Sequence, residues 1–133
     1  MMRCFPGLLL LAVSTTLLAA DPAPKKNEYT IGQTPPAQAP VKAITMTAKK
    51  YEFDPAEVVI EPGTALTITL TALDRSHGFA VQGFDTCVDV DPKVGPVIIH
   101  FYIDKAGDYP FKCCHWCGSG HGKMTGMIKV EKK

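Results

Sequence analysis

Between Cys113 and Met124 the chain reads Cys-Cys-His-Trp-Cys-Gly-Ser-Gly-His-Gly-Lys-Met, and most of its reactive side chains are gathered there. Cys113 and Cys117 are four residues apart, His121 follows four later, and Met124 three after that. Thiolates, an imidazole and a thioether are soft to borderline donors that suit copper far better than magnesium or calcium, which prefer oxygen. Gly118, Gly120 and Gly122 let the backbone turn tightly enough to aim these side chains at one point. Cys117, His121 and Met124 with one further His would make a mononuclear copper set. Cys113 changes that picture, because two thiolates can bridge two metal ions.

Other uses of the same residues compete with this one. Cys113, Cys117, His121 and His77 would form a tetrahedral Cys2His2 zinc site, which leaves Met124 and the spacing unexplained. Cys87, Cys113, Cys114 and Cys117 would also pair as two disulfides in an exported chain. Against that, three of them crowd one short window, whereas disulfides normally join distant segments. Cys87 with Cys114 remains open between a bond that braces the loop and two inert buried thiols. The sequence holds no Ser/His/Asp set, paired carboxylates or phosphate loop, and a filled metal site suits electron transfer better than catalysis. An enzyme acting alone is therefore not expected.

The elements that must position these donors come from the rest of the chain. At 133 residues there is room for one domain. Residues 1–20 read as a secretory signal: Arg3 starts it, Leu8 to Leu18 form its apolar core, and Ala19-Ala20 end it. That run is too short for the roughly 20 residues of a membrane span, an uncleaved anchor being the alternative. Lys and Arg total 14 against 13 Asp and Glu, and losing the signal removes only Arg3. An even balance argues against nucleic acid or a polybasic membrane role. Residues 21–41, with Pro22, Pro24, Pro35, Pro36 and Pro40, read as a flexible, disordered linker.

Residues 42–133 form the expected domain. Ile44, Met46 and Ala48 alternate with Thr45 and Thr47, as a strand requires. Glu57 to Ile60 is a second strand, and Thr64 to Ala72 a third, with Leu66, Ile68 and Leu70 facing inward. His77 to Val81, Cys87 to Val90, Val97 to Ile103, Tyr109 to Lys112 and Gly126 to Val130 follow. Short strands without a helix predict an all-β, antiparallel Greek-key sandwich. Strand-end loops gather at one pole of such a sandwich, so His77 can reach the Cys113–Met124 loop. Trp116 is expected to cover that loop, with electron entry as its alternative role, His115 to face solvent rather than lend its side chain to a metal, and His100 to lie on the outer face.

The pattern Cys113-x-x-x-Cys117-x-x-x-His121-x-x-Met124, with His77 upstream, resembles the purple dinuclear copper (CuA) centre of haem–copper oxidase subunit II and of nitrous oxide reductase. The short subunit II of ba-type oxidases is the nearest likeness, from about Tyr51 to Val130 and including Ser76-His77-Gly78-Phe79 and Thr125-Gly126-Met127-Ile128. The resemblance implies a cupredoxin fold, with two copper ions bridged by Cys113 and Cys117. It also implies His77 and His121 as ligands, Met124 as a weak axial ligand, and the main-chain carbonyl of His115 as another. The function it implies is periplasmic electron transfer from a cytochrome c or small copper-protein donor to a terminal oxidase. Membrane contact would then come through a partner or an uncleaved N-terminus. A copper carrier that delivers metal to an oxidase is the alternative, modestly favoured by the extra Cys114 and His115.

Overall fold

The computed structural model describes residues 27–133. The expected signal segment 1–20 and the start of the 21–41 stretch lie outside the described residues. The strands are β1 (Glu28–Gly32), β2 (Val41–Lys49), β3 (Glu52–Asp54), β4 (Glu57–Ile60), β5 (Ala65–Ala72), β6 (His77–Val81), β7 (Val88–Val90), β8 (Val97–Tyr102), β9 (Gly107–Lys112) and β10 (Thr125–Val130). One 3-10 turn, His121–Lys123, interrupts the loop between β9 and β10. Two five-stranded sheets result, ordered β1-β8-β5-β2-β3 and β4-β10-β9-β6-β7.

The period-two patterning drives this arrangement. Leu66, Ile68 and Leu70 are fully buried on β5, while the threonines between them sit at intermediate exposure. Each such side chain contributes about 1.5–3 kcal/mol when it leaves water. Met46 and Ala48 on β2 and Ile99 and Phe101 on β8 complete the inner face of that sheet. Opposite them, Phe79, Val81, Phe111, Ile128 and Val130 are buried from the second sheet.

Three features differ from expectation. The sandwich is mixed rather than antiparallel: β1 with β8, β2 with β5, and β4 with β10 run parallel. Part of the stretch expected as a linker is a strand, because Ile31 on β1 reaches the core at 1% exposure despite the surrounding prolines. The third is β3, whose single apolar residue Phe53 lies between charged neighbours and offers no repeat to read. Pairing with the end of β2 places Phe53 in the core.

Candidate metal centre

Two neighbouring strands deliver the two halves of the donor set. In a strand, residues two apart share a face, so His77 follows Phe79 inward at the start of β6. At the end of β9, Cys113 likewise follows Phe111 inward. The two Phe rings pack at 4.9 Å and both touch Phe53, at 5.8 and 5.3 Å. Since β6 and β9 pair antiparallel, with Val81 opposite Phe111, this aromatic cluster fixes the spacing beneath the donors.

Beyond β9 the chain loops back onto itself. The Cys113 amide donates to the Met124 carbonyl at 3.0 Å, which extends the β9–β10 ladder and brings Met124 beside Cys113. Gly118 has φ +132°, a backbone conformation that side chains disfavour, and its carbonyl accepts from the His121 amide. These bonds turn Cys117, His121 and Met124 toward one point.

The resulting geometry is dense in sulfur and nitrogen. Cys113 Sγ lies 3.6 Å from Cys117 Sγ, and both thiols are buried and free. Cys117 Sγ is 3.6 Å from His121 Nδ1 and 3.8 Å from Met124 Sδ. Cys113 Sγ donates to the His115 carbonyl at 3.0 Å. The His77 ring, fully buried, comes within 4.8 Å of both thiol sulfurs. All six residues singled out from the sequence therefore converge, His115 through its backbone.

His77 carries the most specific signal. Its Nε2 donates to Asp74 Oδ1 at 2.6 Å, which leaves Nδ1 as the acceptor nitrogen. That Nδ1 is buried without a hydrogen-bond partner. A buried unpaired acceptor costs about 1–3 kcal/mol unless something occupies it, and a metal ion at this point would. Burial tends to raise the Asp74 carboxyl, but bonds from His77 and from the Lys50 and Arg75 amides outweigh it and hold the pKa below its ordinary value. Burial, followed by the hydrogen bond with Cys113, pushes the Cys117 thiol up to about 11. The metal-free thiol thus keeps its proton at neutral pH, and metal binding must displace it.

The residues around the cluster are distributed differently from the sequence expectation in one respect. Trp116 does not cover the site: it is 65% exposed, with its ring 5.7 Å from that of His121. The His115 imidazole faces outward to Asp89, at 3.2 Å. His100 is on the outer face, 3.3 Å from Thr67 Oγ1. Cys87 and Cys114 form a disulfide, which settles the choice left open by the sequence. Asp74 escapes the sequence reading as a site residue, although an acid three residues before His77 is a spacing that could have revealed it.

No family model matches the chain. It is similar to two cytochrome c oxidase subunit 2 chains from Thermus thermophilus. One is 30% identical over 114 residues, covering 85% of this chain and 77% of the relative. The other, from the same species, is 27% identical over 146 residues, covering 99% of this chain and 86% of the relative. Among solved structures, the periplasmic domain of subunit II of cytochrome oxidase from Bradyrhizobium japonicum superposes with a TM-score of 0.61. That likeness is at 21% identity over 75% of this chain and 88% of the other, and it supports the fold.

Proposed function

The chain belongs to the cytochrome c oxidase subunit 2 family, and on that premise we propose that it is an exported electron-transfer domain built to hold a dinuclear copper centre. The observation that carries this reading is the pair of buried thiols 3.6 Å apart, ringed by the other donors. Cys113, Cys117, His77 and His121 would hold the ions. Met124 and the His115 carbonyl would complete the set. Copper so held would supply one-electron redox chemistry.

The protein's own contribution is rigidity and dryness. Cys113, Cys117, Met124 and His77 are at most 2% exposed, which excludes water from the sulfurs. Asp74 holds the His77 ring in one tautomer, as carboxylates behind metal-bound histidines commonly do. The Gly78 amide points at Cys113 Sγ, 3.5 Å away, and stabilises negative charge on that sulfur. His121 lies nearest the surface, against exposed Trp116, and this edge is where an electron would enter from a cytochrome c-like donor. The acceptor would be an oxidase of the kind subunit II serves.

We further propose residues 1–20 as the export signal, consistent with the oxidising compartment that the Cys87–Cys114 bond requires. Among the described residues, no helix is long and apolar enough to cross a membrane. The carrier alternative gains nothing from its two favouring residues: Cys114 is spent in the disulfide, and the His115 imidazole turns to Asp89. Rapid mixing of the oxidised, copper-loaded chain with a reduced c-type cytochrome tests the reading. Oxidation of the cytochrome within milliseconds, with copper retained against a Cu(I) chelator, is expected. Slow oxidation together with prompt loss of copper to the chelator would favour the carrier.

A further inference from the structure

The tip of the β2–β3 hairpin touches both halves of the donor set, although it lies far from either in sequence. Its two residues, Lys50 and Tyr51, reach opposite sides of the centre. The Lys50 amide donates to Asp74 Oδ2 at 2.7 Å, while the other oxygen of that carboxylate accepts from His77 Nε2. The Tyr51 ring lies across the loop between Cys117 and His121. A Cβ placed on Gly118 would fall 2.5 Å from the Tyr51 hydroxyl oxygen, and one on Gly120 would run into the Tyr51 ring itself. The neighbouring Ser119 side chain and, less strongly, the Gly120 backbone draw the pKa of the Tyr51 phenol down. The ring sits at the edge of the core, partly exposed, whereas Phe53 two residues later is buried.

We propose that the Lys50–Tyr51 turn is a positioning element shared by the two imidazoles, Tyr51 wedging the Cys117–His121 loop and Lys50 orienting Asp74 behind His77. The inference rests on the reading of this cluster as a copper centre and adds to it a residue outside the donor set. Gly118 and Gly120 then have a second purpose besides turning the chain: they leave the bare backbone surface on which the ring lies. The wedge sets where His121 stands relative to Cys117, so its loss should loosen the metal without emptying the core. Outer contacts of this kind are worth about 10–100-fold in metal affinity.

The test compares copper release to an excess of chelator from the loaded full-length chain and three variants. Tyr51→Ala is expected to release copper about tenfold faster, while Tyr51→Phe, which keeps the ring, stays within about twofold of the parent. Gly120→Ala, whose added methyl must push the ring aside, should also release faster. Combined with Tyr51→Ala it should add nothing further, since the ring it collides with is gone. The visible absorption band should shift in Tyr51→Ala and return in Tyr51→Phe. Release from Tyr51→Ala at the parent rate, or from Tyr51→Phe as fast as from Tyr51→Ala, would overturn the proposal. Should Tyr51→Ala fail to fold, Gly120→Ala decides alone: a parent-like rate would overturn it. The ratios are read with however many copper ions the parent binds, so a one-copper parent would contradict the dinuclear reading and leave this test intact.

Discussion

Cys87 and Cys114 are joined by a disulfide, with their Cα atoms 6.0 Å apart, immediately beside the free thiol of Cys113. The bond ties the start of the metal loop to the approach to β7, and β7 pairs with the strand that carries His77. It also removes Cys114 from competition with Cys113 and Cys117. A bond closing a loop of this length is worth about 2–4 kcal/mol. The double variant Cys87→Ala/Cys114→Ala should lose about that much stability in denaturant titrations of the metal-free protein. Cys87→Ala alone should do worse in metal uptake, because mass mapping would find Cys114 paired with Cys113 or Cys117.

Asp74 governs His77 at 2.6 Å while remaining one-third exposed itself. Asp74→Ala should therefore fold normally and bind copper about 10–100-fold more weakly in a competition titration. An unchanged affinity would mean that the carboxylate does not orient the imidazole.

Asp91 accepts from the Lys93 amide and the Ser76 hydroxyl, and these bonds lower its pKa from the ordinary 3.8. A depressed carboxyl stabilises the fold above its unfolded pKa, and that contribution fades as pH falls through the folded value. Asp91→Asn should thus be less stable than the parent near neutral pH, with the gap closing in acid. Urea midpoints measured across that range check the sign; a gap that widens in acid would contradict it.

Phe111 packs on Phe79 and Phe53 directly beneath Cys113. Phe111→Ala should cost about 3–5 kcal/mol, as large core truncations do. Copper binding should weaken as well, because the cavity opens under the donors. Calorimetry with and without metal separates the two effects.

Much of this was legible because it depends on local pattern. The alternation in Thr64 to Ala72 marks β5 and its buried face, and the Cys113–Met124 spacing marks the donors. What could not be read is tertiary. Nothing local to Glu52–Asp54 marks a strand, since its order comes from the partner β2. Pro-rich surroundings hid Ile31, whose burial depends on β8. Tyr51 lies across the Cys117–His121 loop, and no local window of sequence contains both.

The most direct measurement is a metal count on the copper-loaded chain, taken together with its electron paramagnetic resonance spectrum. Sharing of both ions by Cys113 and Cys117 predicts two copper ions per chain and one unpaired electron split by two copper nuclei. Cys113→Ser should reduce this to a single ion and a single-nucleus pattern. One copper per parent chain with splitting from one nucleus, or displacement of copper by an equal offer of zinc, would contradict the account.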